Sequence, residues 1–224
     1  MNERLWGILL DSFPKLLSYG LRVTVPLTVL SFALALVISV IVALIQYAHV
    51  NVLQQLCRFY IWIVRGTPLL VQLWLVFYGL PSVGIVLSAF PTAVLVFGFN
   101  EGAYMAESVR GALESVSRGQ MEAGYCVGLN YIQIMTHIVL PQAFRTAFPA
   151  LSNSLISMLK GTSLASTITV MEMFRQATVI NGRVYESLGL YTEVALIYLI
   201  FCTVLTWLQH LGERKLASYG GDKA

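Results

Sequence analysis

Long runs without charge dominate the chain. Residues 23–46, VTVPLTVLSFALALVISVIVALIQ, contain no charged side chain, and about 20 mostly apolar residues suffice for a helix to cross a bilayer. From Gly66 to Asn100 no charge occurs either. At 1.5 Å per residue that stretch is roughly 50 Å of helix, too long for one crossing. The turn-forming GLPSVG at 79–84 divides it. The pattern therefore predicts spans at 23–46, 58–79 and 86–108, then two more near 146–170 and 188–210. Residues 1–22 differ, because Glu3, Arg4, Asp11, Pro14, Lys15 and Arg22 leave no continuous apolar core of a cleavable signal peptide. Leu5, Trp6, Leu9, Leu10 and Phe13 instead share one helix face. That spacing predicts an interfacial amphipathic helix, with a loose solvated leader as the alternative.

Composition supports a membrane protein. The chain has 224 residues, 57% apolar and 11% charged, with a mean hydropathy of +0.74. Soluble domains carry roughly 25% charged residues. A net charge of +3 gives nucleic-acid binding no electrostatic support. Cys57, Cys126 and Cys202 are scattered, odd in number and form no C-x-x-C. They read as small apolar fillers rather than metal ligands or a disulfide framework.

About five spans place the chain ends on opposite sides of the membrane. If the segment between spans three and four is cytoplasmic, so are Arg58, Arg110, Arg118, Arg145, Arg214, Lys215 and Lys223. Arg4, Lys15, Arg22, Arg175 and Arg183 then lie outside. This bias weakly favours an outside N-terminus and a cytoplasmic tail over 212–224.

That middle segment, GQMEAGYCVGLNYIQIMTHIVLPQAF at 119–144, is the longest stretch with little claim to lie inside a membrane. Ser117 and Gln120 have capping-box spacing, which starts a helix. Gly128 is placed to stop it in a left-handed conformation. Asn130, with Gln133 three residues on, is placed to cap a second helix. Pro141 is expected to push Leu140 out of helical geometry. The prediction is a short helix, a glycine turn, a second short helix and a return to the membrane. Ala123 and Gly124 leave the first helix nearly bare, so a partner backbone can approach. Glu122 is suited to a basic group or a helix N-terminus. A solvated loop is the plain alternative.

The same segment resembles the EAA loop of ABC importer permeases, through Glu122, Ala123, Gly128, Ile138, Leu140 and Pro141. The stretches FYIWIVRGTPLLVQLWLVFYGLP, GAYMAESVRGALESVSRGQMEAG and LPQAFRTAFPALSNSLISMLKGTSLASTITVMEMFRQA are similar to those of the polar amino acid permease subfamily. The resemblance extends over residues 12–212. It implies an all-α integral membrane protein of the type I ABC importer fold, with about five spans, the N-terminus outside and the C-terminus inside. It also implies a permease dimer, two cytoplasmic ABC ATPase subunits and an extracytoplasmic amino-acid-binding protein. ATP and Mg then belong to the ATPases, and this chain binds no cofactor. The transmembrane permease domain becomes 23–211, with a coupling loop at 117–141 that docks through Gly119, Glu122, Ala123, Gly124, Gly128, Leu140 and Pro141. Gly124 departs from the second alanine of the family's motif, at roughly 1 kcal/mol of helix propensity.

Polar side chains inside spans are candidates for a substrate pathway, because burying them in lipid is expensive. Asn100, Glu101 and Glu107 fall on the third span. Glu107 is expected to pair with Arg110, three residues on. For Glu101 two readings stand: it faces the pathway and meets an ammonium group, or it is a buried, protonated structural acid. Relatives carry a small hydroxyl there. Lys160, Thr162 and Ser163 supply donors suited to a carboxylate, while Gly161 stands where relatives carry Asp or Asn. Arg65 is expected to snorkel to the interface, and Pro68 to sit in a first turn or a kink.

The chain lacks G-x-x-x-x-G-K-[ST], so it does not hydrolyse ATP alone and is not itself an enzyme. H-E-x-x-H and G-x-S-x-G are absent, and His49, His137 and His210 are far apart, which argues against an intramembrane hydrolase. A secondary amino acid transporter or channel is the rival class, but no internal repeat is visible. Among substrates the motifs most resemble those of cystine permeases. Glutamine, glutamate, histidine and arginine permeases share much of the pattern.

Overall fold

The computed structural model describes residues 3–48 and 51–218. Met1, His49, Lys223 and Ala224, on which parts of the topology and hydrolase arguments drew, lie outside the described residues. So do residues 219–222 of the expected tail. Among the described residues every regular element is a helix.

Two helices, α1 (Glu3–Tyr19) and α2 (Val25–Tyr47), are joined by a π turn, Gly20–Thr24. Together they form a single 45-residue helix. The expected interfacial leader is therefore not a separate segment. Its expected apolar face is divided: Leu5 and Leu9 lie against Gly189, whereas Trp6, Leu10 and Phe13 are exposed, and beyond them Leu16 and Leu17 meet Met173, Ala177, Val194 and Ile197. The π turn is tight against that cluster. A Cβ on Gly20 would lie 2.8 Å from the Phe201 ring and 3.3 Å from Met173 Sδ.

Next come α3 (Asn51–Gly66) and α4 (Leu69–Trp74), bent 103° from one another. The expected single span 58–79 is thus a broken one. Pro68 causes the break, with ψ at 136° immediately before α4. It can neither donate to the preceding turn nor leave Thr67 helical. A π turn (Leu75–Gly79) and a 3-10 turn (Leu80–Val83) follow, ending at Gly84 with φ +84°. This is the divider the sequence placed at 79–84.

The long helix α5 (Ala89–Glu114) packs along α2 over most of its length. Their closeness is set by small residues. A Cβ on Gly98 would lie 2.6 Å from Leu34, and one on Gly102 3.0 Å from Ile38. On α2, Ser31, Ala35, Ser39 and Ala43 recur every fourth residue and are fully buried. Such stripes let backbones approach where lipid supplies no hydrophobic drive.

After the hairpin described below, α8 (Leu140–Gly161) passes into a 3-10 segment, Thr162–Ile168, that ends at Thr169 with φ +69°. The fourth span is therefore not a uniform helix over 146–170. Two final helices, α9 (Met173–Val184) and α10 (Ser187–Ser218), close the fold.

By length and apolarity, two helices among the described residues suffice to cross a membrane: Glu3–Tyr47 and the last one. The bent pair makes a third if counted as one span. Helices α5 and α8 are long, but polar groups dilute them: Asn100, Glu101 and Glu107 on α5, and Gln142, Arg145, Asn153 and Lys160 on α8.

Candidate functional site

The hairpin between α5 and α8 is built from short-range signals. Helix α6 (Arg118–Cys126) begins after Ser117, whose side chain makes no cap. The expected S-x-x-Q box is not formed; only the backbone of Gln120 bonds to Ser117 O, at 3.0 Å. Gly128 does adopt φ +82°, and Leu129 N returns to Gly124 O at 3.1 Å. Asn130 and Gln133 form a complete reciprocal capping box, both bonds at 2.9 Å. It opens α7 (Tyr131–Ile134).

Helix α7 does not stop at Leu140–Pro141. It widens into a π turn, Met135–Val139, and continues as α8, with Leu140 helical at φ −60°, ψ −41°. This corrects the expected break. The wide turn lets Leu140 N reach Met135 O, and Gln142 Nε2 donates to Ile138 O at 2.9 Å. The carbonyls around Pro141 find other donors, so its missing N–H does not end the helix. The hairpin's second arm is thus the first part of the long helix that runs on as α8.

Gly124 turns inward. A Cβ there would lie 2.8 Å from Ile134 Cγ1 and 3.3 Å from Ile138 Cδ1. It is not part of an open docking face, as the sequence suggested, but the point where α6 closes onto α7. The exposed surface includes Gly119, Glu122, Ala123, Tyr125, Val127 and Gly128, with Ile132 beyond. Val127 and Ile132 are 75% and 71% exposed. Glu122 makes no ion pair among the described residues. It lines a groove of about 930 Å³ with Tyr47, Glu114, Arg118, Met121 and Tyr125. Above the hairpin Arg110 clamps two acids, Glu107 at 2.9 Å and Glu114 at 2.8 Å, including the pair the sequence predicted.

The expected pathway residues separate into two sets. Asn100 is buried and donates to Gln72 Oε1 at 3.0 Å. Thr162 is buried and donates to Leu159 O at 2.7 Å. Both are occupied inside the fold. Glu101 is half-buried beside Ser154 of α8. Lys160 is exposed, and so are Thr146, Asn153 and Ser157 on the same face of α8. Ser163 is half-buried and donates to Lys160 O. A Cβ on Gly161 would meet nothing within 4 Å, so the position has room for a side chain. Arg65 does not simply reach for the interface; its guanidinium sits 5.1 Å over the Tyr104 ring.

Sequence reasoning missed three participants. Gln72 has no periodic signal of its own. Glu172 and Glu193 lie on the same charged flank as Arg175 and Arg183, yet both are buried. Ser12 of α1 donates to Glu193. Glu172 caps α9, accepting from Phe174 N at 2.8 Å and Arg175 N at 2.6 Å, and also from Tyr198 at 3.2 Å. Burial pushes its carboxyl up to about 7, against the opposing pull of those two N–H groups and Tyr198.

Residues 35–218 match the family described as "Binding-protein-dependent transport system inner membrane component". The chain belongs to that family. It is a permease subunit of the amino acid ABC transporter type, as its motifs imply. It is 43% identical over 215 residues to the L-cystine transport system permease protein TcyB of Bacillus subtilis, covering 96% of this chain and 92% of that one. It is 36% identical to the nopaline transport system permease protein NocM of Agrobacterium fabrum, covering 92% and 89%. Among solved structures it is similar to a crystal structure of an amino acid ABC transporter with histidines, with a TM-score of 0.87 and 31% identity over 96% of this permease and all of that chain. The MetNI methionine ABC transporter shares the fold, with a TM-score of 0.70 at 18% identity.

Proposed function

We propose that this permease carries a polar amino acid, cystine foremost, across a bacterial cytoplasmic membrane, driven by a separate ATPase. Its similarity over almost its whole length to a cystine permease supports the substrate. In this reading it works as a dimer, either with itself or with a paired permease, and an extracytoplasmic amino-acid-binding protein delivers the substrate. Two cytoplasmic ATPase subunits hold ATP and Mg. The single observation that carries the mechanism is the unbroken passage from α7 through the π turn into α8. A partner that moves the exposed surface around Glu122 and Ala123 moves the membrane helix with it, and Lys160 lies near that helix's far end. Glu101, Asn153, Ser157, Lys160 and Ser163 then line the pathway, with Lys160 suited to the carboxylate and Glu101 to the ammonium group. Asn100 and Thr162 support it from behind. Five spans, with α1 starting outside, complete the topology.

The reading is tested by purifying the tagged permease from cells that express the neighbouring ATPase and binding-protein genes. In liposomes the complex should take up labelled cystine only with ATP and loaded binding protein. Uptake without ATP would instead support a secondary transporter.

A further inference from the structure

The break in the second span is held by one side chain. Because Pro68 has no N–H, the Val64 carbonyl loses the partner it would have in a continuous helix. Gln72, one turn into α4, replaces it. Its Nε2 donates to Val64 O at 2.8 Å, to Thr67 Oγ1 at 2.8 Å and, more weakly, to Thr67 O at 3.2 Å. Its Oε1 accepts from Asn100 Nδ2 of α5 at 3.0 Å. The buried amide of Asn100 therefore orients the amide that holds the bend.

Beyond the bend, Leu69–Val83 forms an arm that rests on the segment following Lys160–Gly161. Trp74 Nε1 donates to Thr167 Oγ1 at 3.1 Å, and Tyr78 Oη donates to Thr167 O at 3.0 Å. In the crook of the bend lies a cavity of about 490 Å³, walled by Val64, Thr67, Gln72, Leu75, Leu95 and Phe99. The arm is thus fastened by these polar contacts and by Leu73, which is buried among Leu27, Ala93, Phe97, Ala165 and Ile168, and it has free volume beside its pivot.

We propose that the arm Leu69–Val83 is a gate hinged at Thr67–Pro68, and that Gln72, oriented by Asn100, is the positioning residue that sets its closed position over Thr162–Ile168. Releasing Gln72 bares the Val64 carbonyl, an unpaired acceptor that favours return to the closed position. Its role in transport rests on the permease reading; its geometry does not.

The test uses the full permease with its ATPase in liposomes, lacking Cys57, Cys126 and Cys202. Spin labels are attached through Val83→Cys on the arm tip and Met171→Cys beyond Thr167, both exposed. With Gln72 in place one narrow distance should dominate. Gln72→Leu should raise a longer-distance population about tenfold, the equivalent of one lost buried hydrogen bond. Asn100→Leu should do the same to a smaller degree. Pro68→Ala returns an N–H to Val64 O, so adding Gln72→Leu to it should change little further; a packing role would give additive effects instead. In uptake, Gln72→Leu should lower the maximal rate and leave the half-saturating concentration of loaded binding protein unchanged. Unaltered distances in Gln72→Leu, or additivity with Pro68→Ala, would overturn the proposal. If the unmodified complex shows no ATP-driven uptake while the distances respond as described, the importer reading fails and the latch stands.

Discussion

Glu172 shows how a single residue changes meaning once its neighbours are known. In the sequence it is one of several charges on a flank between two apolar runs. In the fold it is fully buried, caps α9 and receives Tyr198. Its folded pKa of about 7 lies above its ordinary value of 4.5. The proton is therefore held more tightly in the folded state, and the contribution to stability is greatest below about pH 4.5. It declines as pH rises towards about 7 and is flat beyond, on the order of 3 kcal/mol in all. The thermal midpoint of the detergent-solubilised permease should fall across that window, and Glu172→Gln should flatten the fall. An unchanged slope in the variant would assign the titration to another group. Gly98 is the other residue whose role only packing reveals. With Leu34 2.6 Å from where a Cβ would stand, Gly98→Leu forces α2 and α5 apart. The expected loss is about 1–3 kcal/mol, read as a lower thermal midpoint.

Among the elements, the hairpin was legible because its signals are local. Gly128, Asn130 and Gln133 act within one six-residue stretch, and all three do what their spacing predicts. The Ser117–Gln120 box has the same spacing and fails. Gly124 and Pro141 were misread because their partners are tertiary: Ile134 and Ile138 for the first, a widened turn for the second. Asn100 stood out as a polar residue in a span, but its partner Gln72 lies 28 positions away, beyond the reach of periodicity. A kink was one of the two readings open for Pro68; its angle was not legible, since that depends on what holds it. For the hairpin itself, Glu122→Arg is the decisive change. Reversing the one acid on the exposed face should disfavour a complementary partner by several kcal/mol, while Gly124 and Ile134 still close the fold. Uptake should be lost with the subunit still inserted, and co-purified ATPase should fall. Full uptake with normal ATPase recovery would remove the docking role.

At the scale of the whole molecule, the proposed function fixes sidedness: it needs the hairpin in the cytoplasm and α9 with the turn after it outside. Ser117 and Gly182 are both exposed, and a Cβ on Gly182 meets nothing within 4 Å. In a background lacking Cys57, Cys126 and Cys202, a membrane-impermeant thiol reagent applied to cells stripped of any outer membrane should label Gly182→Cys and spare Ser117→Cys. The reverse pattern would place the hairpin on the wrong side for a cytoplasmic ATPase.

The seam between α2 and α5 has a kinematic consequence. Leu34 fills the notch at Gly98, Ile38 fills the one at Gly102, and the stripe from Ser31 to Ala43 leaves no slack. Neither helix can slide or roll past the other without lifting a side chain out of its notch, so the two must travel as one rigid body through any transport cycle. Degrees of freedom then remain at breaks away from this seam, among them the bend before α4, while the hairpin and α8, continuous through their π turn, move together. A stroke delivered through the hairpin is then passed on and is not absorbed at the centre.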